Sequence, residues 1–221
     1  MLKSFEMKNE DYERLRSSYL RRKDLISVRL REFKEVFQKG DDNRIFEELA
    51  FCMLTSAVGP RMGQKSIDAI RDVLIEGSEE DIYEKLLNVH KYPEKASFVV
   101  WARDYLKNEF DFKLKKLVLS FNDSLERRDF FALNKNIKGI GFVQSSHFLR
   151  NIGFSEYAIL DKNIVLSLYQ FGVIDSPNPP TTRRKYLEIE GKLKEFAKEL
   201  GMGVDELDLL LWSEKTGHIP R

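Results

Sequence analysis

Hydrophobic positions recur at helical spacing along almost the whole chain. Between Glu10 and Phe37, the residues Tyr12, Leu15, Tyr19, Leu20, Leu25, Ile26, Val28 and Phe33 sit among charges, and polar Lys39-Gly40-Asp41-Asp42 closes the pattern. This predicts a long helix with one buried face. The next helix, Arg44 to Thr55, becomes wholly apolar at Leu49-Ala50-Phe51-Cys52-Met53-Leu54, as expected of an element buried on every side. Ser56 to Gly63 carries breakers at both ends and reads as a loop. Further helices are expected over Gln64 to Glu76, Ser78 to Val89, Pro93 to Asn108, Leu114 to Leu119, Ser124 to Asn134 and Phe142 to Asn151. Another begins at Lys162, and the Pro-rich break Ser176 to Pro180 separates it from a final pair, Arg183 to Leu200 and Val204 to Lys215. With no strand-like alternation of useful length and no tandem repeat, the fold class is all-α.

One connection differs from the rest. Lys138-Gly139-Ile140-Gly141 joins two helical patterns through a turn whose glycines tolerate positive φ, so successive backbone N–H groups can face outward. The following helix has apolar Phe142, Val143, Phe148 and Leu149 interleaved with Ser145, Ser146 and Arg150. Its first amides adjoin the turn, and a helix N-terminus beside a glycine turn suits a phosphate. A bare Gly-x-Gly is more often an ordinary corner. Asp161, heading the helix at Lys162, is on local grounds either a plain N-cap or a carboxylate placed for chemistry.

Composition narrows the partners. The chain has 221 residues, long enough for one large or two small helical domains, and a formal net charge of +1. Any phosphate-binding face therefore comes from local clustering. Arg21-Arg22-Lys23, Lys113 to Lys116, Lys135 to Lys138 and Arg183-Arg184-Lys185 are the basic runs, and such runs are usually solvated helix faces. The run abutting the glycine turn has the best claim on a phosphate backbone. A single cysteine, Cys52, excludes an intrachain disulfide and a four-cysteine iron–sulfur cluster, and implies a reducing cytoplasm. Three widely separated histidines offer no metal-ligand spacing. No signal peptide or bilayer-length apolar run is visible. Charged residues at 33% with scarce glutamine fit a thermophile.

The stretch Gly139-Ile140-Gly141, Ser145-Ser146-His147-Phe148-Leu149-Arg150-Asn151-Ile152-Gly153 and Ala158-Ile159-Leu160-Asp161-Lys162 resembles the helix-hairpin-helix and aspartate region of the archaeal and thermophile type of 8-oxoguanine DNA glycosylase/AP lyase. Weaker echoes flank it at Phe51 to Thr55, His90 to Lys95, Arg184 to Leu187, Leu207 to Leu209 with Trp212, and Thr216 to Arg221. The resemblance implies a helix-hairpin-helix DNA glycosylase fold with two helical subdomains flanking a cleft. One would comprise residues 1–60 and 176–221; the other, residues 61–175, would hold the helix-hairpin-helix (130–152) and Asp161.

It also implies roles. Lys138, Gly139, Ile140, Gly141 and Phe142 would bind the DNA backbone, and Asp161 would be the catalytic carboxylate. In lyase-competent relatives a lysine two residues beyond the hairpin's last glycine attacks the sugar; here that slot holds Val143, 18 residues before Asp161. Valine is no nucleophile, nor is Gln144 beside it. Asp161 alone can stabilise an oxocarbenium-like sugar or orient a water, which predicts hydrolysis without strand cleavage. Lys162 is a conceivable alternative amine without geometric support. Trp212 and the carboxylate of terminal Arg221 are candidates for the base pocket, with Phe98 or Trp101 as further stacking candidates, although buried core is the commoner fate of an aromatic. His147 and Arg150 are candidate phosphate contacts. The loop at residues 56–63, against the lesion in the family, is a few residues shorter here.

No cofactor is expected to be required, with a monovalent cation at the hairpin as a candidate ion. The expected partner is double-stranded DNA with a damaged base, and the expected state a monomer in a prokaryotic cytoplasm, associated with the nucleoid. Two rivals stand beside the monofunctional glycosylase: a catalytically degenerate protein that binds lesions or abasic sites, and a bifunctional glycosylase/AP lyase altered at position 143.

Overall fold

The computed structural model describes Phe5 and residues 7–219, among which there are eleven α-helices and no strand. They group into two compact units, residues 34–152 and residues 1–33 with 153–221.

The unit of residues 34–152 is built on α2 (Asp42–Thr55). Asp41 starts it by accepting from Arg44 N at 2.9 Å, and Ile45, Phe46 and Leu49 to Leu54 are fully buried. Burying each large apolar side chain contributes about 1.5–3 kcal/mol, which makes α2 the principal apolar element of this unit. Around it pack α3 (Pro60–Ile70), α5 (Ala96–Phe110), α6 (Leu114–Leu119) and α8 (Phe142–Asn151). Glu48 is a charged residue among the buried positions of α2. It is buried, but accepts from Arg44 Nη2 at 2.6 Å and from Asn151 Nδ2 at 3.1 Å, which ties α2 to the end of α8.

The last carbonyls of α2 are capped from outside the helix. Tyr92 N donates to His90 Nδ1 at 2.9 Å, so Nε2 carries the proton it gives to Leu54 O at 2.8 Å. Lys95, at the end of a 3-10 turn (Pro93–Lys95), donates to Met53 O and Ser56 O at 2.8 and 2.7 Å. Burial pushes the Lys95 amine below its ordinary range.

Two sequence expectations are corrected here. Pro60, read as a loop breaker, is the first residue of α3, where its missing N–H costs nothing. The helix expected to reach Glu76 stops at Ile70 and gives way to turns, because Arg103 and Lys107 on α5 take the carbonyls of Leu74, Gly77 and Ile75. After α4 (Glu79–Leu87), α5 and α6 comes α7 (Ser124–Leu133), which packs on α8. Phe110, Phe121, Phe130, Phe131 and Phe148 form a run of edge and tilted ring contacts, with centroids 5.0–5.7 Å apart.

The other unit contains most of α1 (Asn9–Lys39) with α9 (Lys162–Gln170), α10 (Arg183–Glu199) and α11 (Val204–Thr216). Its core includes Leu15 and Ile26 of α1, Ile164 and Leu168 of α9, Leu193 of α10 and Leu207 to Leu211 of α11. Tyr19 donates to Glu206 at 2.7 Å, and Arg22 pairs with Glu214 at 2.7 Å, so polar contacts also join α1 to α11.

The division therefore falls at 33/34 and 152/153 rather than at 60/61 and 175/176. Largely buried α2 groups with the helices that surround it, and α9, which packs on α11, carries Asp161 into the other unit.

Candidate active site: a glycine hairpin and a helix-capping aspartate

The hairpin between α7 and α8 is set by its own side chains. Asn134 Oδ1 accepts from Asn136 N at 2.9 Å, its carbonyl accepts from Ile137 N at 3.0 Å, and its Nδ2 donates to Tyr105 at 3.0 Å. Ile137 and Ile140 are buried, whereas Lys135, Lys138 and Gly139 are exposed. The turn thus hangs from two isoleucines and shows its lysines to solvent. Gly139 has φ +76°, and a Cβ there would lie 2.7 Å from Phe98 Cδ2, so glycine is required on two counts. Gly141 departs from expectation: its backbone is extended (φ −120°), and its N–H donates to Gln144 Oε1 at 3.3 Å. Only one of the two hairpin glycines uses the left-handed region.

Phe142, Val143 and Gln144 form the half-buried first turn of α8. Beneath it, fully buried Arg128 places its guanidinium 6.0 Å from the Phe142 ring, with Nη1 3.4 Å from Ser146 Oγ. Lys138 holds its ammonium 4.1 Å from the Trp101 ring centroid. His147 is half-buried with its ring edge-on to Phe51, 5.7 Å between centroids. Arg150 is 3% exposed and donates to Asn151 Oδ1 at 3.5 Å. It is a core residue of α8, which corrects its reading as a phosphate contact.

Asp161 follows a buried irregular segment, Tyr157 to Leu160, whose backbone is served from α10. Tyr186 Oη donates to Ala158 O at 2.6 Å and accepts from Leu160 N at 3.4 Å, and Glu190 accepts from Ala158 N at 3.0 Å. Tyr186 and Glu190 are one helical turn apart, so a single face of α10 holds this lead-in. Asp161 itself is half-buried and caps α9, with Oδ1 accepting from Ile164 N at 2.9 Å. That bond fixes the rotamer and so the direction of Oδ2, at a helix end that favours negative charge. Lys162, next in the chain, is exposed.

Trp212 on α11 is half-buried with its ring edge-on to His218, 5.3 Å between centroids. Arg221 lies outside the described residues. Among the described residues, no three His, Cys, Asp or Glu side chains gather as a metal site, and no helix is long and apolar enough to cross a membrane. Sequence reasoning missed the supporting layer: Lys95 and His90 capping the end of α2, Arg128 under α8, and Tyr186 with Glu190 behind Asp161. The only signal was the polar pair on one face of α10, since the partners lie far apart in sequence.

Comparison with known proteins gives the family. The sequence profile of the 8-oxoguanine DNA glycosylase family with a helix-hairpin-helix matches residues 26–202. The 8-oxoguanine DNA glycosylase/AP lyase of Methanocaldococcus jannaschii is 38% identical over 209 residues, spanning 94% of this chain and 96% of the relative. That of Korarchaeum cryptofilum is 36% identical over 211 residues, spanning 95% of each. The crystal structure of the M. jannaschii 8-oxoguanine glycosylase/lyase in complex with a 15mer DNA containing 8-oxoguanine superposes with a TM-score of 0.84 at 34% identity, over 94% of this chain and 99% of that one. The chain belongs to the 8-oxoguanine DNA glycosylase family, within the helix-hairpin-helix DNA N-glycosylases.

Proposed function

We propose that this protein excises 8-oxoguanine from double-stranded DNA by hydrolysing the N-glycosidic bond, without a covalent enzyme–sugar intermediate. The observation that carries the reading is that the chain has a fixed carboxylate, Asp161 heading α9, and valine at the family's amine slot, Val143 in the first turn of α8. As the bond breaks, positive charge develops on the deoxyribose, and a carboxylate stabilises that charge more in the transition state than in the ground state. The same group orients a water and takes its proton, so the products are free base and an intact abasic strand. A Schiff base would need an uncharged amine near the anomeric carbon, and Val143 supplies none.

The other groups bind. Backbone N–H groups at Gly139 to Phe142, with Lys138, hold the phosphates of one strand without reading sequence. The extruded base is received by a pocket that includes Trp212. A monovalent cation, where one binds, would be held by the hairpin and would add positive charge beside a phosphate; no cofactor is required, and the protein acts as a monomer. The relatives' names support a glycosylase acting on 8-oxoguanine, and one relative's crystal structure contains DNA with that base.

The test is a duplex with a single 8-oxoguanine, scored separately for free base and for strand nicking, with borohydride present to trap any imine. Base release without nicking or trapping is expected. Val143 also favours a second reading, a protein that binds lesions or abasic sites without turnover. Tight binding with no base release from any single-lesion duplex would establish that reading and defeat the first.

A further inference from the structure

Trp101 is on α5 with 51% of its surface exposed, the ring that Lys138 faces at 4.1 Å. Phe98, three residues earlier and so on the same face of α5, is the ring that seats Gly139. Two consecutive hairpin residues therefore rest on two aromatic rings of one helix. Phe98 explains itself as packing. Trp101 does not, because half of a large apolar ring is left in water beside an exposed lysine.

The arrangement of the lysine is informative. An ammonium carries three donors, and the indole face occupies one side of it without supplying an oxygen acceptor. No carboxylate pairs with Lys138 among the described residues. Lysine normally loses much side-chain freedom when it docks on an anion, and here the ring has already restricted it. A restrained cation with outward donors beside an exposed flat apolar ring matches the alternation of a nucleic-acid strand, where a phosphate adjoins the C–H face of a sugar.

We propose that Trp101 and Lys138 act as one unit of a DNA-strand interface, Lys138 bonding a backbone phosphate and the exposed indole packing on the adjoining deoxyribose. The contact is independent of base sequence and of damage. It rests on the proposal that the hairpin holds a DNA backbone, and it extends that surface from the hairpin onto α5.

The chain has two tryptophans, so Trp212→Phe in the full-length protein leaves Trp101 as the sole indole. Titration with an undamaged duplex, which needs no base pocket, should change Trp101 emission in step with the anisotropy of a dye on the DNA. Trp101→Leu in the parent protein should weaken duplex binding about fivefold, with Trp101→Phe recovering most of the loss. Lys138→Gln should lower the steepness of the salt dependence by about one phosphate, and should add little when combined with Trp101→Leu. Unchanged Trp101 emission while anisotropy reports binding, or equal affinity of Trp101→Leu and parent, would overturn the proposal. If base release occurs while Trp101 stays silent, only this inference fails; if the parent binds no duplex, the glycosylase reading fails with it.

Discussion

Asp161 caps α9 and, in the proposed mechanism, also faces the sugar, and a substitution can divide the two roles. Asparagine caps helices as well as aspartate does, so Asp161→Asn should leave thermal stability nearly unchanged. Base release should fall by about 10²–10³-fold with the charge gone, at similar duplex affinity. Single-turnover assays beside a melting curve check both halves. Val143→Lys is the complementary change. Position 143 is half-buried in the first turn of α8, where a lysine tip can reach solvent. If the slot assignment is right, the variant should gain a borohydride-trappable complex and strand nicking; a variant that releases base but never traps would sink the assignment.

Among the elements, the hairpin and α11 offer separate tests. Gly139→Ala places a Cβ 2.7 Å from Phe98 in a backbone with φ +76°, which should cost about 1–3 kcal/mol and weaken binding to damaged and undamaged duplexes alike. Denaturant melts and duplex titrations measure the two effects. On the other unit, Tyr19 of α1 donates to Glu206 of α11, and burial, followed by that bond and the carboxylate's charge, pushes its hydroxyl from 10.0 up to about 12. The folded state therefore holds this proton more tightly than the unfolded chain does. Its stabilisation is complete below pH 10, is lost as pH rises from 10 to about 12, and should vanish from the pH–stability curve in Tyr19→Phe. Helices of this kind were legible in advance, since α1, α2 and α6 to α11 follow the periodicity closely, and so were the turn and the cap. What escaped was set by distant partners. The end of α3 depends on Arg103 and Lys107, the burial of Arg150 on the packing of α8, and the posture of Asp161 on Tyr186 and Glu190 of α10. No local pattern encodes a hydrogen bond to a carbonyl some thirty residues away.

For the molecule as a whole, a net charge of +1 supplies almost no long-range attraction to DNA. Affinity then comes from a few local contacts, and the logarithm of the binding constant should fall with the logarithm of salt concentration at a slope shallower than about −4. A steep slope would reveal basic helix faces engaged beyond the hairpin. The division into two units also separates the candidate roles: the hairpin lies in one, while Asp161 lies in the other, with α9 and the termini. Because the aspartate is also the first peg of a helix, its loss by a change to asparagine would not be policed by misfolding or proteolysis. Under the proposed mechanism, a cell carrying that allele would accumulate an intact, inert protein that still settles on damaged sites and shields them from rival repair enzymes, so the defect would be dominant.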